Sequence, residues 1–196
     1  MKILIGLGNP GAQYEHTRHN LGFRVIDEAS LTWDVALKKD ASCRAMVGRC
    51  DRFGEPLLLV KPHTFINESG VAVRRLAQQQ AVRPENLMVL LDDVSFPLGT
   101  FRIRKQGGGG GHNGLVSIID ALGTDAFPRM RLGIATGPVA SKDLTDFVLG
   151  EFSPPEEEAV VDVLIEAVAA LELLMTKGIA EAMNVHNREQ REDGPT

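Results

Sequence analysis

Residues 2–22, KILIGLGNPGAQYEHTRHNLG, decide how the rest of the chain is read. The apolar run 3–7 has the length and character of a buried strand. Glycines, a proline and three side chains capable of chemistry come with it: Asn9, His16 and His19. A buried strand that breaks off in Gly, Asn and Pro delivers its last residues to the rim of a sheet, where open α/β folds keep their ligands.

Gly6-Leu7-Gly8-Asn9-Pro10-Gly11 also fits the dinucleotide pattern G-x-G-x-x-G. That pattern works when the glycine turn opens a helix and a second strand ends in an acid about 20 residues on. Here Pro10-Gly11 reads as a turn, residues 11–18 are polar and aperiodic, and Asp27 and Glu28 fall inside a helical pattern (Leu21, Val25, Ile26, Ala29). The strand therefore ends at a site of another kind.

Outward from this stretch, the spacing predicts a helix over 21–31, an irregular segment over 33–41, and two strands over 44–50 and 56–61 joined by a glycine-bearing loop. The wholly apolar 57–60 implies burial on both faces. A break at 62–70 precedes a helix with Val71, Val73, Leu76 and Ala77 as its apolar positions. A strand over 87–91 ends in Asp92-Asp93, and 100–104 alternates Phe101 and Ile103 with Arg102 and Arg104. Five glycines, 107–111, run into His112-Asn113-Gly114 and a helix over 115–122. A strand over 129–135, a loop over 137–143 and a short element over 144–149 follow. Ser153-Pro154-Pro155-Glu156 then begins a long helix in capping-box fashion. A short helix over 179–186 closes the series. The expected architecture is α/β, a single domain with a twisted mixed β-sheet flanked by helices, spanning 1–187 with a loose polar tail over 188–196.

The 196 residues suit one domain, and 43% hydrophobic with 24% charged residues is ordinary for a globular protein. No apolar run reaches the ~18 residues of a membrane span, and no secretory signal opens the chain. Cys43 and Cys50, placed on one strand, would stand ~23 Å apart, out of disulfide reach; both read as reduced packing residues of a cytoplasmic protein. A net charge of −5 argues against nucleic acid, but binding needs only a local patch, and Arg102, Arg104 and Lys105, with Arg129 and Arg131 on a later strand, could form one.

Asn9, His19, Asn67, Asp92 and Asn113 all stand at breaks beside regular elements, where scaffolds place working groups. Each has an ordinary explanation. Asn9 could start a turn, His19 could pack, Asp92 could cap or pair, and Asn67 and Asn113 could cap the helices that follow. A metal site from His16, His19, His63 and His112 lacks a third ligand at a set offset. The glycine run has no Lys-Ser/Thr after it, so it is not a nucleotide-hydrolase phosphate loop; it suits a moving segment or close approach to a ligand.

Taken jointly, Gly6-Leu7-Gly8-Asn9-Pro10-Gly11, Tyr14, Thr17-Arg18-His19-Asn20, Thr64-Phe65-Ile66-Asn67-Glu68-Ser69-Gly70, Asp92 and Gly110-Gly111-His112-Asn113-Gly114 resemble, in order and in register, the bacterial-type peptidyl-tRNA hydrolases. The resemblance runs almost the whole chain, to Asn187. It implies hydrolysis of the ester between peptide and tRNA, by a cytoplasmic monomer without metal or cofactor. His19 would activate water with help from Asp92. Asn9 would serve the chemistry beside them. Tyr14, Phe65, Asn67 and Asn113 would bind substrate, and Arg102, Arg104, Lys105 and Arg131 would meet tRNA phosphates. The glycine run and 144–149 would border the cleft as a gate. The sequence departs from the family's usual pattern at Ile66 (commonly Met), at Ser95 (commonly a carboxylate) and at Gly109 (histidine in some relatives). A non-catalytic RNA-binding relative on the same fold is the alternative.

Overall fold

The computed structural model describes residues 1–137 and 143–192. Seven strands form one mixed sheet in the order β2-β3-β4-β1-β5-β7-β6. These are β1 (Lys2–Gly6), β2 (Lys38–Asp40), β3 (Ala45–Arg52), β4 (Glu55–Pro62), β5 (Leu87–Pro97), β6 (Phe101–Arg104) and β7 (Arg129–Ala135). The centre is parallel: β1 lies between β4 and β5, and β5 pairs with β7. The two flanks are antiparallel. The helices are α1 (Leu21–Thr32), α2 (Ser69–Gln79), α3 (Asn113–Leu122), α4 (Leu144–Leu149), α5 (Pro154–Lys177) and α6 (Ile179–Glu192).

Strand parity sorts the apolar side chains into two layers, because successive residues point to opposite faces. Leu4, Met88 and Leu90 pack with Leu21, Val25 and Ile26 of α1 and with the α5 stripe of Val160, Val163, Ala167 and Leu171. Ile3, Ile5, Val89 and Leu91 pack the other way, with Val73 and Leu76 of α2 and Leu115 and Ile118 of α3. The central strands are sandwiched between these layers, which explains their unbroken apolar runs.

The first glycine pattern is a packing device. A Cβ on Gly6 would stand 2.2 Å from the Gly22 carbonyl oxygen. Strand β1 thus lies directly against α1, and Phe23 N donates to Leu7 O at 3.1 Å. Pro10-Gly11 leads into a 3-10 turn, Ala12–Tyr14, and opens no α-helix, and Asp27 lies within α1. The dinucleotide reading fails on both counts.

Several local expectations change. The irregular 33–41 contains the short strand β2, recruited to the edge by pairing with β3. The strand ending in Asp92-Asp93 continues to Pro97, with a register shift between Asp93 and Pro97. On α2 the buried face is Ser69, Gly70, Ala72, Val73 and Leu76, while Val71 is exposed. Cys43 is buried just ahead of β3 and Cys50 is half-buried on it; both thiols are free. Helix α6 runs to Glu192 where a short helix and a loose tail were expected. The helix is tied to β6 at Asn187, whose side chain accepts from Ile103 N (3.0 Å) and donates to Ile103 O (3.0 Å). This closes the open edge of β6, which would otherwise present unpaired backbone groups. The loop expected over 137–143 lies for the most part outside the described residues, as do 193–196 of the tail.

Candidate active site

Just beyond the last pair of β1 and β5, Gly6 with Leu90, these parallel strands deliver Asn9 and Asp92 to one rim, as the topology of such sheets requires. Asp92 is buried, at 2% exposure, yet it is charged and fully engaged. His19 Nδ1 stands 2.9 Å from both of its oxygens, and His112 Nε2 stands 3.0 Å from Oδ1. The two imidazole rings are 4.9 Å apart and tilted by 51°.

The second bond of His112 fixes its tautomer. Its Nδ1 accepts from Leu115 N at 3.2 Å, so Nε2 carries the proton and donates to Asp92. In His19 the Nδ1–H donates to the carboxylate, which leaves the Nε2 lone pair free to take a proton. Burial works to lower the His19 pKa, but the Asp92 charge and hydrogen bond outweigh it and hold the value above the ordinary 6.5. For Asp92, burial pushes the other way, and the electrostatic attraction of, and hydrogen bonds from, His112 and His19 hold the carboxyl well below the usual carboxylate range. His19, Asp92 and His112 are the one trio among the described residues that could hold a metal ion, with ligand atoms within 4.8 Å of one another. His16 and His63 lie outside it.

The trio opens into a cavity of about 120 Å³ lined by His19, Asp92, Gly110, His112, Asn113 and Arg131, with Leu144 and Val148 of α4 on the far wall. The glycine run and α4 therefore do border this cleft. The run itself is moulded on two arginines of β7. Buried Arg129 donates to the carbonyls of Phe127, Asp125 and Gly107. Arg131 donates through Nη2 to Gly108 O (2.8 Å) and pairs through Nη1 with Asp93 (2.8 Å). Gly110, at φ 60°, lies so close to the Arg131 guanidinium that a Cβ would stand 2.7 Å from Nη1. Any other residue there would be strained twice over.

The remaining predicted residues divide. Asn9 is not among the residues lining the catalytic cavity. Its Oδ1 accepts from Ile66 N (2.9 Å), and its main chain is paired with the Asn20 amide at 2.8 and 3.0 Å. It borders a separate hollow of about 450 Å³ with His16, Asn20 and His63. These bonds stitch the end of β1 to the segment carrying Asn67. Neither Asn67 nor Asn113 caps a helix: Glu68 and His112 hold those positions. Both amides are exposed, which removes the ordinary explanation for them. Phe65 is 59% exposed and Tyr14 is half-buried.

The basic cluster also divides. Arg102 and Arg131 are cross-strand partners, as are Arg104 and Arg129, so all four share one face of the sheet edge. Arg104 and Lys105 are exposed. Arg102 donates to Asn187 O (3.2 Å), and Arg131 pairs with Asp93 and donates to Gly108 O.

Three residues lie within the quoted motifs but were given no part in the site by the sequence reading. His112 resembled a loop residue before a helix; its capping role needed the exact helix start. Asn20 acts only through Asn9. Arg18 stacks on Phe147 (4.6 Å) and Phe152 (5.1 Å), pairs with Glu156 (2.9 Å) and donates to Glu151 O (2.8 Å). It thereby ties the turn carrying His19 to α4, through partners more than 120 positions away.

The comparisons with known proteins agree with this geometry. The family model described as peptidyl-tRNA hydrolase matches residues 3–193. A peptidyl-tRNA hydrolase of Syntrophomonas wolfei is 44% identical over 187 residues, covering 95% of this chain and all of that one. That of Geobacillus thermodenitrificans is 42% identical with equal coverage. The crystal structure of peptidyl-tRNA hydrolase from Acinetobacter baumannii superposes with a TM-score of 0.89 at 31% identity, covering 94% of this chain and 93% of that one. A match of this extent, in sequence and in fold, shows that the chain belongs to the peptidyl-tRNA hydrolase family.

Proposed function

We propose that this protein hydrolyses the ester joining a peptide to the terminal ribose of tRNA, releasing tRNA for reuse in translation, as a cytoplasmic monomer that needs no metal or cofactor. The observation that carries the reading is His19. One ring nitrogen is held by Asp92, the other has no hydrogen-bond partner among the described residues, and the ring lines a cavity bordered by α4. Water bound at Nε2 gives up its proton and attacks the ester carbonyl carbon. The tetrahedral adduct then expels the ribose oxygen, which recovers the proton from His19. Asp92 fixes the tautomer and stabilises the imidazolium formed in between. An ester has a good leaving group, so one base and one positioned water suffice, for a typical gain of about 10²–10⁴.

Asn67 and Asn113 supply neutral donors and acceptors to the peptide backbone. Exposed Phe65 and half-buried Tyr14 contribute aromatic surface to the substrate. Arg104 and Lys105 are the exposed cations for tRNA phosphate, with Arg102 beside them. Among the described residues no helix is long and apolar enough to cross a membrane.

The test compares N-acetyl-aminoacyl-tRNA with unblocked aminoacyl-tRNA, in EDTA, for wild type and His19→Ala. Cleavage of the blocked substrate, reduced about 10²–10⁴-fold in the variant, is the expected result. Undiminished turnover in folded His19→Ala removes His19 as the base. Salt-sensitive tRNA binding with no turnover by the wild type would place the chain with non-catalytic RNA binders.

A further inference from the structure

His19 is the middle residue of a short 3-10 turn, Arg18–Asn20, and both of its neighbours are anchored. Asn20 is bonded through its amide to Asn9 N and O, and so to the end of β1. Arg18 is bonded in the other direction, to the corner where α4 meets α5. Its N–H donates to Gly150 O (3.0 Å), and Thr17 just before it bridges to Glu151. Its Nη2 meets both oxygens of the Glu156 carboxylate, which also accepts from Ser153 N (2.6 Å) at the start of α5. Only 11% of the Arg18 side chain is exposed, and its buried Nε makes no hydrogen bond among the described residues, which costs stability. Helix α4 has little else to hold it, for none of its six residues is buried. Its Leu144, Thr145 and Val148 line the catalytic cavity, while its Phe147 lies under the Arg18 guanidinium. Neither Arg18 nor Phe147 is among the residues lining that cavity. Helix α4 thus has one face on the substrate space and another on the chain neighbour of the base.

We propose that Arg18 is a positioning residue that transmits the seating of α4 to His19, so that the base is aligned on Asp92 only when the wall of Leu144 and Val148 is in place. The proposal rests on the peptidyl-tRNA reading above for what the base does, and deepens it. The reason is geometric. Successive Cα atoms are fixed about 3.8 Å apart, so a three-residue turn has little slack, and a shift of Arg18 turns His19. The hydrogen bond from His19 to Asp92 is directional and weakens steeply as its angle closes. His112 is held differently, between Asp92 and Leu115 N, and has no hydrogen bond to Arg18 or α4 among the described residues. A substrate that fills the cavity meets the α4 wall, and seating that wall aligns the base.

The experiment compares wild type, Arg18→Lys, Phe147→Leu and the double variant, each studied well below its melting temperature. Arg18→Lys keeps a positive charge opposite Glu156 but loses the planar fork and the stacking. Proton NMR of the free protein follows the two imidazole N–H signals directed at Asp92, from His19 Nδ1 and His112 Nε2. In both single variants the His19 signal is lost to exchange with water and the His112 signal stays. With N-acetyl-aminoacyl-tRNA, kcat falls about tenfold in each single variant while KM stays within about twofold. The double variant falls no further than the worse single one, because both changes cut the same link. A His19 signal untouched by Arg18→Lys, loss of both imidazole signals together, or losses in kcat that multiply in the double variant each overturn the proposal. The NMR result stands apart from activity: a His19 signal lost alone, in a protein whose wild type cleaves nothing, supports the link and removes the hydrolase reading.

Discussion

His19, Asp92 and His112 on one side of the cleft are tied to one another and to the sheet, whereas Asn67, Asn113 and Phe65 on the other stand in solvent. The bonded side is set before substrate arrives. Its charges sit in a buried, low-dielectric place, where fixed partners spare the cost of reorganisation during the reaction. The open side has no side-chain hydrogen bonds among the described residues, so on the proposed reading it would adjust to the peptide it meets. Chemistry is invariant across substrates and peptide sequence is not, so each side has the rigidity its task allows. Mutations on the two sides should therefore fail in different currencies: rate and pH dependence on one, affinity on the other.

Asp92→Asn tests the bonded side most severely. The rate is expected to fall about 10²–10⁴-fold, because His19 loses its orientation and the stabiliser of its charged form. The pH profile should move as well. A base must be neutral to act, and Asp92 raises the His19 pKa, so the wild-type rate climbs with pH through a midpoint above 6.5. Without that carboxylate only burial remains, and the midpoint drops. A midpoint that stays in place would mean that Asp92 does not tune His19.

Asn9→Ala and Asn113→Ala set the two sides against each other with one kind of side chain. Removing the Asn9 amide leaves the Ile66 N–H without its partner, at a cost of about 1–3 kcal/mol in unfolding free energy, measured in urea. Asn113 has no such bond, so its loss should change stability by less than about 0.5 kcal/mol while raising KM. Equal destabilisation by both would erase the distinction.

The smallest expected effect separates two arginines. Arg104→Ala should lower the slope of log Kd for tRNA against log salt by about one, the share of one phosphate contact. Arg131→Ala should leave that slope alone, because its guanidinium is already held by Asp93 and Gly108, and should instead loosen the glycine loop and slow turnover. Matching slope changes in the two variants would restore Arg131 to the phosphate-binding patch.

Local chemistry made much of this legible. Apolar runs of strand length, the capping box at Ser153 and the α5 stripe each produced the element expected, because each acts between residues close in sequence. The long β5 and the edge strand β2 were harder. Their pairing with β7 and β3 continues past the point where their own patterns become polar, so a partner strand decided their extent. The candidate residues His19, Asp92, Asn67 and Asn113 were found from their positions at breaks and from the order of their motifs. The ring of His112 on the far side of Asp92, the stitch made by Asn9 and the clamp of Arg18 on α4 were not.

The sequence by itself determined the α/β class and the family, since these follow from periodicity and from motifs that keep a fixed order. Only the tertiary structure decided which polar groups meet. Asp92 acts on two histidines that lie 73 and 20 positions away on either side of it in the chain. The five glycines, which in sequence suggest freedom, take their course from Arg129 and Arg131, whose side chains reach them only because β7 lies beside them in space. Hydrogen bonds and ion pairs are short-ranged and directional, so their partners are fixed by distance in the folded molecule, and the order of residues along the chain does not reveal that distance.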